Sequence, residues 1–427
     1  MLKIVMQQPA VLNNDFRVSG NREDELKDVV EAMDNMTSYR LVDPATEVSI
    51  VSVETDKPSK GMYTLRTLIP SMMESGDVLP RPVKTPSGEK KVKVGYFGPS
   101  AGHTKYVSRA GMLENGISET QMAEIEKTGF CLNVDDGMGL PIMYIPFDQL
   151  LPTFCRYAKT DTVSEEPDIF RDMYLARKLR QARPCGMVFR SVGGIHKAMA
   201  FVGTNFRPIP QVALLQCAER ILDGREYEVM HWSIDHNVTM VEYRLKKPVA
   251  RRGSHSFRIG FHAVTSDIGD AAFRITPTAW VDGSMILLPF VTAAEHTDAF
   301  NMDAVCSRAA EDEKKARETV AGLVKAVSGL TVANRKVAME EFANAAGLNE
   351  PASIGKKRMA TIINNTAIKP EPAALIDVVI WGLLIPKDVI QGGVSFSSLE
   401  RILKAAAKMY KPEEWLKYIT VEGGDVK

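Results

Sequence analysis

An α+β fold is predicted, with mostly antiparallel sheet in the N-terminal and middle parts and a helical C-terminal part. Between Tyr227 and Trp280, successive runs alternate apolar and polar residues with period two, as half-buried strands do. Beyond Pro289 the texture changes to helical spacing over 301–330, 334–346 and 396–410. At 427 residues the chain exceeds what one hydrophobic core commonly supports. The expected division is a mixed segment 1–150, a basic antiparallel-sheet segment 151–295 with two helices, and a helical segment 296–427.

Taken in order, Arg22 to Met36 sets Leu26, Val29, Val30 and Met33 on one stripe of an amphipathic helix, and Glu47 to Val53 reads as a short strand. Lys57 to Glu89 is punctuated by Pro58, Gly61, Pro70, Gly76, Pro80, Pro82, Pro86 and Gly88, so loops or an arm are expected over 57–89. Lys90 to Phe97 resumes a strand. Glu114 to Lys127 reads as a helix, and Phe130, Leu132 and Val134 lead into a hairpin that turns at Asp135 and Asp136 and returns over Leu140 to Ile145. A basic helix is expected from Glu165 until Pro184 ends it. Cys185–Arg190 and His196–Phe201 form a hairpin about Gly193 and Gly194.

Pro208-Ile-Pro210 opens a helix carrying Val212, Leu215, Ala218, Ile221 and Leu222, closed by Gly224. In the central runs one face collects Met230, Trp232, Ile234, Thr239, Val241, Tyr243, Leu245, Phe257, Ile259, Phe261, Phe273 and Ile275. These are the expected core. The run Glu311 to Arg317 is expected as a solvated face of a long helix laced by i,i+4 pairs, and Ala373 to Ile385, with Trp381, as the buried helix of the C-terminal part.

The formal net charge is zero, yet residues 1–170 hold 18 Lys+Arg against 25 Asp+Glu, residues 171–275 hold 17 against 9, and residues 276–427 hold 18 against 19. The excess of eight cations in the middle points to an anionic partner. Opposite the apolar face lie Arg244, Lys246, Arg258, His262 and Arg274, with Arg190, Lys197 and Arg207 as extensions. These are the candidate nucleic-acid-binding residues.

Reaction chemistry is not indicated. In Gly98-Pro-Ser-Ala-Gly102-His103-Thr-Lys105 three residues separate the glycines and His103 stands where a phosphate-binding loop needs lysine. Asp135 and Asp136 read as solvated turn acids, because a metal needs further convergent oxygens. No HExxH, GxSxG or GxGxxG occurs, the seven histidines are scattered, and the five cysteines (Cys131, Cys155, Cys185, Cys217, Cys306) contain no CxxC. A non-enzyme without metal or cofactor is expected. The polar residues after Met6 and the short apolar run at 373–385 argue against a signal peptide and a membrane span, and a reducing cytoplasm fits the scattered thiols.

Several segments carry a resemblance. Phe206-Arg-Pro-Ile-Pro210 leading into a helix, Tyr227-Glu-Val, Ser266-Asp-Ile-Gly-Asp-Ala271, Pro277-Thr-Ala-Trp280, His296-Thr297 before a long charged helix, and Ala373 to Leu384 with Trp381 occur in that order. Over residues 200–410 the chain resembles the phage- and plasmid-borne proteins grouped as a domain of unknown function. The resemblance implies a phage or mobile-element origin near replication or recombination genes, and brings no catalytic residues. The expected function is a phage-encoded, non-catalytic protein that binds single-stranded DNA in replication, recombination or annealing in the host cytoplasm. The alternative is a structural, assembly or host-interaction protein that forms a homo-oligomer or pairs with phage replication or transcription proteins.

Overall fold

In a computed structural model the protein is described at residues 6–12, 16–55, 62–68, 81–84, 90–93, 102–114, 119, 122–123, 126, 130–134, 143–146, 179–192, 195–252, 255–281, 283–288, 290–345, 348–349, 354–366 and 373–382. Helices and antiparallel sheets make up these residues, so the chain is α+β. The N-terminal strands are β1 (Arg17–Gly20), β2 (Thr37–Val42), β3 (Val48–Thr55), β4 (Met62–Leu68), β5 (Arg81–Lys84), β6 (Lys90–Lys93), β7 (Gly102–Ser108), β8 (Phe130–Val134) and β9 (Met143–Pro146). They are followed by β10 (Cys185–Val192), β11 (Ile195–Val202), β12 (Tyr227–Asp235), β13 (Thr239–Leu245), β14 (Ala250–Arg252), β15 (His255–Thr265), β16 (Phe273–Val281), β17 (Ser284–Leu287) and β18 (Thr292–Ala294). The helices are α1 (Glu23–Met36), α2 (Pro44–Glu47), α3 (Arg109–Glu114), α4 (Val212–Leu222), α5 (Met302–Val327), α6 (Arg335–Ala345) and α7 (Lys356–Thr366).

The largest sheet runs β1-β12-β13-β15-β16-β17, with β14 paired to β15 and β18 to β16. Its apolar face is the expected one with a single exchange. The register passes from Val229↔Tyr243 to His231↔Glu242, so Met230 is the extra residue of a bulge and Val229 takes its place in the core. A bulge inserts one residue against none on the partner strand and so reverses the parity before it. Trp232, Phe257 and Phe273 are fully buried against α1, α4 and α5, which cover this face.

The other sheets are smaller. One runs β11-β10-β2, a second β7-β4-β3-β8-β9, and β5 pairs with β6. The expected loops of 57–89 are corrected here, since β4 and β5 lie inside that stretch. Met62 to Leu68 has β-branched and aromatic residues between Gly61 and Pro70, and local strand propensity prevails between the two breakers. The hairpin of Phe130–Val134 is present as β8 paired with β9; its turn residues Asp135 and Asp136 lie outside the described residues, as do 165–178 and 396–410. Residues 102–105 of the rejected phosphate loop open β7, and 98–101 lie outside.

One core draws on all three expected segments: Phe16 and Leu26, then Trp232 and Phe261, then Val320, Phe342 and Trp381 belong to a single cluster. The boundaries near residues 150 and 295 do not divide it. Among the C-terminal helices, residues 375–382 are helical and bury Ile376, Val378, Val379, Ile380 and Trp381, as expected. In the run Glu311 to Arg317 the expected i,i+4 pair forms between Glu313 and Arg317 at 3.5 Å, but Asp312 and Glu313 turn inward rather than to solvent. Thr292 Oγ1 donates to Asp312 over 2.8 Å and Arg225 pairs with Glu313 at 2.8 Å, so each buried acid has a partner. Among the described residues no helix is long and apolar enough to cross a membrane.

Candidate nucleic-acid interface

The polar face of the large sheet is built by strand parity. Arg244 lies opposite Gly260, Arg258 opposite Trp280, and Arg274 opposite Val264, so all three arginines occupy the face away from the helices. They do not form one row. Arg244 and Arg258 are diagonal neighbours, about 8 Å apart along the backbone, whereas Arg274 sits roughly 15 Å from Arg244 at the strand spacing and rise of a sheet.

Their partners differ as well. Arg244 is clamped by Glu228 at 2.7 Å and lies 5.4 Å from the centre of the Trp280 ring, which itself covers Gly260. Arg258 donates to the Lys246 carbonyl over 3.1 Å and to Ser256 Oγ over 2.8 Å. Arg274 is exposed. Trp232, Phe257 and Phe261 are in the core, and none of the aromatic side chains of the large sheet is exposed. Base stacking has no platform on this sheet.

One of the extensions is corrected, and a second is paired. Arg190 is fully buried, paired with Asp267 at 2.6 Å and donating to the His236 carbonyl over 2.9 Å; Thr37 Oγ1 completes the site by donating to Asp267 over 2.9 Å. No external anion reaches it. Arg207 pairs with Asp298 at 2.7 Å, donates to the Phe206 carbonyl over 2.7 Å and lies 5.5 Å from the Tyr39 ring centre, while its side chain remains 41% exposed. Lys197 lies opposite Arg190 in the β10–β11 register, and its side chain falls outside the described residues.

The cations that remain gather at one corner. Arg244, Lys246, Lys247, Arg251, Arg252 and Arg258 fall within fifteen residues, and no acid occurs between Glu242 and Asp267. Lys246, Lys247, Arg251 and Arg252 are exposed. Arg251 pairs with Ser256, which places it on the Arg258 face. Among the described residues only Arg244 of these six makes an ion pair. Lys247, Arg251 and Arg252 were not among the expected site residues; the signal that finds them is the acid-free run itself.

His262, another expected contact, lies in a row across the sheet: His231, Glu242, His262 and Thr276 are successive cross-strand partners. Burial pushes the Glu242 carboxyl up to about 7. Among the described residues no group of three His, Cys, Asp or Glu side chains is arranged to hold a metal.

No family model, curated protein or solved structure matches the chain.

Phe206, the turn 266–271 and the segment at His296 and Thr297 come together in space. Phe206 stacks on His296 with ring centres 5.3 Å apart, Phe206 bridges to Thr297, the Phe206 ring lies against Gly269, and a ring nitrogen of His296 sits 3.2 Å from the Ala271 carbonyl. Burial lowers the His296 pKa. With Asp267 committed to Arg190 and Thr37, this knot holds the second sheet against the large one.

Proposed function

We propose that the protein binds single-stranded DNA without cutting it, through the phosphate backbone, as a phage-encoded replication, recombination or annealing factor acting in the host cytoplasm. The observation that carries the reading is the corner formed by Lys246, Lys247, Arg251, Arg252 and Arg258, which among the described residues have no carboxylate partner. Clustered unpaired cations attract a polyphosphate and displace its counterions. With no exposed aromatic on the large sheet, contacts to phosphate carry the affinity at this corner and sequence is not read. A flexible strand can pass from one exposed cation of the β13–β14–β15 corner to the next, whereas a duplex, with a persistence length of about 50 nm, is too stiff to bend among them.

Fluorescence anisotropy with a labelled oligonucleotide tests this on the full chain. Binding weakens steeply as salt rises from about 50 to 200 mM. Replacing Lys246, Lys247, Arg251 and Arg252 together by Ser lowers the slope of log affinity against log salt by about 0.7 for each phosphate no longer neutralised, about 3 in all. Arg274→Ser, far from the corner, changes the slope by less than the share of one phosphate. No binding at about 50 mM salt overturns the proposal and leaves the homo-oligomer reading, which light scattering then decides.

A further inference from the structure

Two cysteines meet in the helical layer behind the large sheet. Cys217 of α4 and Cys306 of α5 are 89 residues apart in sequence, and their sulfurs lie 2.7 Å apart. Cys217 is fully buried and Cys306 is 5% exposed, and the same two helices are joined at the rim by Arg220 and Asp303. Nothing in the nucleic-acid proposal uses this pair.

We propose that Cys217 and Cys306 form an oxidative modification site, closing to a disulfide between α4 and α5 when a peroxide reaches them. Cys306, the more exposed thiol, is oxidised first: its sulfur takes one oxygen from the peroxide, giving a sulfenic acid and releasing water when the oxidant is hydrogen peroxide. The Cys217 sulfur then attacks the Cys306 sulfur. The S–O bond breaks, the S–S bond forms, and the Cys217 proton leaves with the hydroxyl as a second water. Burial holds the Cys217 thiol above its usual range, so little thiolate is present and closure is slow. The new bond encloses every strand from β12 to β18, and therefore the basic corner, in one covalent loop. A cross-link over so long a loop restricts the unfolded chain and leaves the polar face of the sheet untouched.

The test is made on the full chain, treated with hydrogen peroxide, alkylated under denaturing conditions and digested without reductant. The expected product is one linked pair of peptides carrying Cys217 and Cys306, which reduction separates. The melting temperature of the oxidised protein rises by roughly 5 °C or more over the reduced form, and the rise is absent in Cys306→Ala. Separate alkylation of both cysteines overturns the proposal, as does Cys306 carried on to sulfinic acid with Cys217 free. A melting shift that persists in Cys306→Ala overturns it equally. The peptide map needs only the unmutated chain, so it decides the question even if the variant fails to fold.

Discussion

Arg190 and Asp267 are both out of water, and each is held by the other at 2.6 Å. Removing one partner strands a buried charge, so Arg190→Ala is expected to cost about 3–5 kcal/mol, measured by urea denaturation. Replacing the pair together, Arg190→Met with Asp267→Leu, recovers most of that loss, because no uncompensated charge remains. Glu242 gives a test by pH. Its carboxyl titrates at about 7 in the folded protein against an ordinary 4.5, so the folded state holds the proton more tightly than the unfolded chain. Stability from this group is complete below pH 4.5, declines as pH rises toward 7, and is level above it. Glu242→Gln is therefore expected to exceed the parent stability by about 3 kcal/mol at pH 8, on the order of 1.36 kcal/mol per pKa unit, and to show no gain at pH 4. An equal gain at both pH values would refute the assignment.

At the scale of single elements, α4 begins at an N-cap, Gln211, that offers no side-chain cap. Asp34 of α1 supplies it instead, accepting from Gln211 N at 2.7 Å and Val212 N at 2.9 Å. Asp34→Ala is expected to lose about 1–2 kcal/mol, readable in a thermal melt. The start of α4 was legible from Pro208 and Pro210, but its cap lies 177 residues away in the chain and no local rule points to it. β15 makes a second element-scale prediction. A side-chain carbon at Gly260 would lie 1.9 Å from the Tyr243 carbonyl and 2.8 Å from the Trp280 ring nitrogen. Gly260→Ala thus forces two central strands apart, with an expected loss above about 3 kcal/mol in chemical denaturation. The bulge at Met230 belongs here too, since an alternating pattern is read from one strand whereas a bulge is a mismatch between two.

For the molecule as a whole, the N-terminal residues complete the central core. β1 pairs with β12 over Arg17↔Asp235 to Gly20↔Trp232, the Trp232 ring nitrogen donates to the Arg22 carbonyl over 3.0 Å, and α1 contributes Leu26, Val29, Val30 and Met33 to the cluster. Deleting residues 1–36 uncovers Trp232 and is expected to abolish the cooperative melt, with red-shifted tryptophan emission as the readout; an intact transition would show that the sheet closes without them. What the sequence determined by itself was local: the α+β class, the parity that sends Arg244, Arg258 and Arg274 to one face, and the acid-free basic run, since periodicity and composition are properties of neighbours along the chain. Only the tertiary structure decided which cations remain unpaired. Glu228 takes Arg244, Asp267 takes Arg190 and Asp298 takes Arg207, because Coulomb attraction and burial act between residues close in space, whatever the length of chain between them.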